Sequence, residues 1–426
     1  MRENNDPRPS ESGIEYEMKY IVIIFFLLVL LFLIPQLFAQ GLQHDAIVAN
    51  ISVPLRVFDG DRFVEDLTLN DLELYEDGKL QRIQSLYLIR QATIERSQAG
   101  RDFSPNTARR FYFLFQITDF NPQITEAMDH FFMHVYQPED QVVIMTPVKN
   151  YMLSQEAFEV KTRETIVQDV RSALRRDTSV GASEYNSLIR DLKKIVLSLT
   201  AVGTSSERTM YNLESSDSTV SSNLGYLLPR YHDTLQRLEE LRLVDEGRFI
   251  RFAAQLKRLD EQKIVFFFYQ REFRPEIEAG ALDRLLTFTQ SNHIVQAQLR
   301  ELFHFYHREV NFSVKRLGQA FSDASIVLNL IYLNKQLENI SGIYMREQSE
   351  DVFKVFSQVA ASSGGIVDTS QSPAAAFAHA SALTDRGYLL YYSPETYVRD
   401  GGFRNIQVRV KGREYRVLHR QGYYAN

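Results

Sequence analysis

The chain has 426 residues, 44% hydrophobic and 24% charged, with a formal net charge of −6. This is enough for two or three folded domains with sizeable cores and argues against disorder, while the acidic balance builds no field for a phosphate backbone, so no nucleic-acid partner is expected. The absence of cysteine excludes disulfides, thiolate zinc sites, a cysteine nucleophile and a lipid anchor on cysteine.

Residues 21–34 are an unbroken apolar run, followed by Pro35, Gln36 and the small residue Ala39. The run suits a signal-peptide core; counted over 20–39 it also suits an uncleaved membrane anchor. The first 17 residues are acidic where a signal start is positive, and Met18-Lys19-Tyr20 reads as a better start, so 1–17 are expected to be an over-extended beginning. In either case residues 1–40 are the export segment. The remainder is expected in the periplasm or cell envelope, tied to the inner membrane if the segment stays.

Residues 45–90 read as a β module. The stretches 47–58, 72–75 and 82–89 alternate apolar and polar residues, punctuated by Asp59-Gly60-Asp61 and Glu76-Asp77-Gly78. After a polar linker over 91–109 the rhythm changes. Continuous apolar runs at 111–117, 141–145, 263–269 and 325–333 have the character of strands covered on both faces. Helical spacing separates them over 122–136, 162–174 and 185–199, and follows the last over 351–361. Gly364-Gly365 stops that helix. A short helix at 374–383 and a last strand at 388–392 complete the pattern. The alternation predicts an α/β domain over 108–395, a mainly parallel sheet flanked by helices. Residues 203–227 read as a polar loop, and 228–259 and 275–316 as helices. Two helical insertions, about 203–260 and 275–316, are therefore expected. Residues 400–426 alternate as two strands around Lys411-Gly412-Arg413 and are expected to pack with the N-terminal module as a small β subdomain.

The order of these pieces resembles the bacterial VWFA-related domain family. The resemblance is carried by Ile51-Ser52-Val53, Val57-Phe58-Asp59-Gly60 and Asp71-Leu72-Glu73-Leu74-Tyr75-Glu76-Asp77-Gly78. It continues through Pro138-Glu139-Asp140-Gln141-Val142-Val143 and ends on Tyr388-Leu389-Leu390-Tyr391-Tyr392-Ser393-Pro394 and Gly402-Phe403-Arg404-Asn405-Ile406. It implies a von Willebrand A-like, Rossmann-like sheet with a metal-ion-dependent adhesion site, where an Asp-x-Ser-x-Ser loop, a Thr and a later Asp hold a hard cation through oxygen ligands. Set against that pattern, Gln116 stands at the first Asp, Thr118 at the first Ser, Phe120 at the second Ser, Ser183 near the Thr and Gln270 near the later Asp. A shifted alignment leaves Asp119 and Asn121 as fallback ligands. With the anionic ligands gone and Arg271 opposing a cation, no metal and no cofactor is expected.

His130 and His134, four residues apart on a helix, and Glu301, His304 and His307 are the remaining metal-type spacings. A solvated or interfacial helix face is the plainer reading of both. No phosphate loop or nucleophile elbow appears. The expected function is a non-catalytic scaffold of the bacterial envelope that binds protein partners. The alternatives are a metal-dependent adhesion domain around Asp119, Thr118 and Ser183, and a hydrolase within the helical insertions.

Overall fold

The computed structural model describes residues 49–99, 105–209, 217–242, 245–306, 312–369 and 372–426; the segment expected to direct export, 1–40, lies outside them. Six strands open the described chain: β1 (Ile51–Asp59), β2 (Arg62–Phe63), β3 (Leu72–Glu76), β4 (Lys79–Gln81), β5 (Ile83–Arg90) and β6 (Thr93–Ala99). Asp77 and Gly78 take positive φ (47° and 80°), making the two-residue turn that joins β3 to β4.

The middle of the chain begins with β7 (Arg109–Gln116), α1 (Pro122–His130), β8 (Gln141–Met145), β9 (Asn150–Leu153), α2 (Gln155–Val160) and α3 (Arg163–Gly181). Two long helices follow, α4 (Ser183–Thr209) and α5 (Asp217–Leu241), then α6 (Glu246–Leu256), β10 (Gln262–Gln270) and β11 (Phe273–Ile277). Next come α7 (Ala279–Phe288), α8 (His293–Tyr306), α9 (Val314–Asp323), β12 (Ile326–Leu333) and β13 (Ile343–Glu347). The chain closes with α10 (Glu350–Ser362), β14 (Val367–Asp368), α11 (Pro373–Asp385), β15 (Arg386–Tyr392), β16 (Phe403–Val410), β17 (Arg416–His419) and β18 (Gly422–Tyr424). Helix starts follow local chemistry: Thr162, Asp245, Ser313 and Ser372 each cap a helix by accepting a backbone N–H, and Pro373 occupies the first turn of α11.

A six-stranded mixed sheet runs β14-β12-β10-β7-β8-β9. Its apolar runs are continuous because alternate residues enter different cores. Ile264, Phe266 and Phe268 of β10 join Phe111, Phe113 and Phe115 of β7 beneath α1, α3 and α11, whereas Val265, Phe267 and Tyr269 face α6, α9 and α10. Burying each such ring contributes on the order of 1.5–3 kcal/mol. Gly365 lies so close to β12 that a Cβ there would fall 1.8 Å from the Leu328 carbonyl oxygen, which restricts the position to glycine.

The expected von Willebrand A-like, mainly parallel architecture is overturned. Ten of the fourteen strand pairings among the described residues are antiparallel, and the four parallel ones are confined to the mixed sheet, whose β9 edge is itself antiparallel. The protein is a mixed α/β molecule with mostly antiparallel sheets, one of them a curled half-barrel. The strand expected to end the α/β domain, β15, instead lies between β1 and β5, antiparallel to both. An apolar run reports burial but not the direction of its neighbour, which is why the sequence pattern misassigns it. β17 joins the same sheet beside β1, and β16 pairs with β3 and β18 in a separate four-stranded sheet.

The polar stretch expected as a loop over 203–227 is partly helical: α4 runs to Thr209 and α5 starts at Asp217. Packing outweighs the modest helix penalty of Ser, Thr and Asn, since Leu224 and Leu228 are fully enclosed. α4, α5, α7 and α8 share one core with the antiparallel β11–β13 pair, so 273–277, whose last residues are expected as helix, is a strand.

Candidate functional site

β7, β10 and β12 run parallel in register, Tyr269 beside Gln116 and Gln270 beside Leu333, so the loops that follow them emerge together. Gln270 organises that end. Its side-chain oxygen accepts the backbone N–H groups of Thr118 and Asp119 at 2.9 Å each and the Thr118 hydroxyl at 3.2 Å, while its amide nitrogen donates to the Asp119 carbonyl at 3.3 Å. Only an amide offers both roles; a carboxylate would accept the two N–H groups but set an anion against the Asp119 carbonyl. Asn186, one turn into α4, donates to the Thr118 carbonyl at 3.1 Å.

The cation at this end comes from the chain. The Lys335 ammonium, two residues beyond β12, pairs with the Asp119 carboxylate and donates to the Thr118 hydroxyl at 3.2 Å. The carboxylate is half exposed and the lysine about one quarter, so the pair stands at the rim of the site. Arg271 is turned onto Glu347 at 3.2 Å and lies over the Tyr332 ring.

Beside this loop the sheet meets the helical lobe through buried charge. Arg242, at the end of α5, pairs with Glu272 at 2.8 Å and stands 3.6 Å from Glu239 and 3.8 Å from Asp351. Arg274 links Glu239 and Glu276, and Glu276 also holds Arg346. Burial acts to lower the Arg242 pKa, but the Glu272 carboxylate, together with Tyr269 and Glu239, more than reverses it, so the guanidinium is held charged. Burial raises the Asp351 carboxyl, with Arg242 opposing. Between the network and the loop, the Tyr185 hydroxyl and the Gln348 amide are sealed from solvent without a hydrogen bond of ordinary geometry among the described residues. Burial, then the Glu272 charge, pushes the Tyr185 phenol upward, keeping it neutral.

Of the residues picked out from sequence, the structure brings together Thr118, Asp119 and Gln270. Gln116 is exposed at the end of β7, and Phe120 packs against the aromatic core. The Asn121 carbonyl caps the first turn of α1 by accepting Ile124 N–H, and the Ser183 hydroxyl is spent on the Val180 carbonyl at 2.8 Å. His130 and His134 do meet, with ring centroids 5.0 Å apart, and burial followed by the His134 charge lowers the His130 pKa. Glu301 lies exposed on α8, whereas His307 and the His304 side chain fall outside the described residues. Among the described residues no group of three or more His, Cys, Asp or Glu is placed to hold a metal, and no helix is long and apolar enough to cross a membrane.

Lys335, Asn186 and the Arg242 network escape sequence reasoning. Lys335 has a usable signal: a lone cation just past a buried strand adjacent to the one carrying Gln270. No family model, curated protein or solved structure matches the chain.

Proposed function

We propose that this chain is a non-catalytic binding scaffold of the bacterial envelope, recognising a protein partner through the strand-end surface around Asp119 and Lys335. The supporting observation is the Lys335 ammonium seated on Asp119 and Thr118, with the Gln270 amide locking the loop beneath. A fixed side-chain cation beside the carboxylate supplies the charge that a divalent ion would bring to an adhesion surface, and it does so without exchange. The loop polar groups are engaged with one another, which suits a rigid recognition surface better than a site that must move protons.

The test is the melting temperature of the full chain in EDTA and then in excess Mg²⁺ or Mn²⁺. No shift is expected, because a ligand raises stability only by binding the native state. A rise of several degrees would overturn the reading in favour of a metal-dependent adhesion site at Asp119.

A further inference from the structure

At the other end of the mixed sheet, where β10 and β12 begin, a cavity of about 180 Å³ opens against β1 and β15. Its wall includes Arg56 and Ser52 of β1, Lys263 of β10, Ser325 just before β12, and Tyr391 of β15. A single water needs roughly 10–15 Å³ of such space, so the cavity admits a group of several atoms.

Three cations gather here, each almost sealed from water: Arg56 is 8% exposed, Lys263 5% and Arg420 6%. Arg420 stands behind the wall, donating to the Ser52 carbonyl at 3.0 Å and to the Ser325 hydroxyl. Three carboxylates also line the cavity, and two of them hold other cations. Asp323 holds Lys257 at 2.8 Å and accepts Tyr424 N–H, Glu261 holds Arg110 at 2.9 Å, and Asp260 is exposed.

Arg56 donates one bond, to the Gly364 carbonyl at 3.1 Å, and its Nε has no hydrogen-bond partner among the described residues. Burial alone lowers its pKa to about 10, with no carboxylate offsetting it. Lys263 donates to the Leu259 carbonyl at 2.7 Å and is lowered to about 8, by burial first and then by the Arg420 charge, with the Glu261 and Asp260 carboxylates opposing. Arg109, at the start of β7, shows what a compensated buried guanidinium looks like: Asp140 grips it at 2.6 and 2.9 Å. Buried charge without a counter-ion is among the most costly arrangements in a folded protein.

We propose that this cavity is a binding site for a small phosphate-type oxyanion, held by the Arg56 guanidinium and the Lys263 ammonium, with Ser325 on its wall. Two cations call for a dianion, and guanidinium and ammonium donors both suit phosphate oxygens. The site is independent of the surface around Asp119.

The experiment titrates the full chain at pH 7.5 with inorganic phosphate, and with chloride or acetate at matched ionic strength. Binding is followed by dye-reported melting and by the phosphorus NMR linewidth. The expected result is a saturable rise of several degrees with phosphate alone, lost in Arg56→Met and Lys263→Met. Phosphate acting no more strongly than chloride or acetate, or equally on the variants, would overturn the proposal. If the Met variants fail to fold, Arg56→Lys decides: losing the planar fork should weaken phosphate at least ~10-fold, and unchanged affinity would overturn the proposal.

Discussion

Where β7, β10 and β12 end, Lys335 meets the Asp119 carboxylate and both polar atoms of Gln270 are used; where they begin, the hydrogen bonds that Arg56 and Lys263 make among the described residues go to backbone carbonyls. The first end is assembled from loops, which can bend until donors and acceptors match. The second lies where two sheets face each other, and strands locked in register cannot shift to bring a carboxylate to a particular guanidinium. Charge left over at such a junction is therefore a better pointer to a ligand than charge on a loop. The contrast also exists within one end, since Arg109 has its carboxylate and Arg56 does not.

The strongest way to break this comparison is at Arg109. Arg109→Met strands the buried Asp140 carboxylate and is expected to cost about 3–5 kcal/mol in urea unfolding. Gln270→Ala, at the loop end, leaves two N–H groups unpaired and is expected to cost about 2–3 kcal/mol, measured the same way. Arg56→Met, by contrast, removes a cation without a counter-ion and should change stability by less than about 1 kcal/mol in phosphate-free buffer, the lost bond to Gly364 opposing the relief of buried charge. Equal losses in the two arginine variants would erase the distinction between compensated and uncompensated guanidinium. A loss for Gln270→Ala below that of Arg56→Met would show that the loop is not held by the amide.

The smallest effect is expected from acid at His419, next to Arg420. Its Nε2 accepts Val408 N–H at 3.3 Å and its Nδ1 donates to the Arg420 carbonyl at 2.8 Å, an arrangement in which only one ring nitrogen carries a proton, so the folded imidazole is neutral. Burial lowers its pKa below the ordinary 6.5, with the bond to Arg420 opposing. The unfolded chain then binds the proton more readily, so this contribution is complete above about pH 6.5 and is lost as pH falls through the folded value. His419→Gln should flatten the pH dependence of the melting temperature over that interval; an unaltered profile would remove His419 from the account.

Much of the element pattern is legible in the sequence. The run at 111–117 announces β7, and the run at 263–269 announces β10, because strands covered on both faces lack polar interruptions. The hairpin at Asp77-Gly78 is readable because its turn demands positive φ. The direction of β15 is not, since its tyrosines and leucines suit either neighbour arrangement. Nor are the helical parts of 203–227, where Ser and Thr argue locally for a loop while Leu224 and Leu228 gain from a core contributed by distant helices.

The candidate site divides along the same line. Thr118, Asp119 and Gln270 are picked out in the sequence by setting the loops around the buried strands against the adhesion-site pattern that the resemblance implies, and the structure places them in contact. By itself the sequence determined composition, the absence of cysteine chemistry, the positions of buried strands and the residues at their ends. Those properties are local, set by burial periodicity and turn chemistry. Which charges meet was decided only by tertiary structure: Lys335 reaches Thr118, 217 positions away in the chain, together with Asp119, and Arg56 shares a cavity with Lys263 at a junction between sheets. Pairing energy depends on distance and on exclusion of water, and neither exists until the sheets and helices have packed.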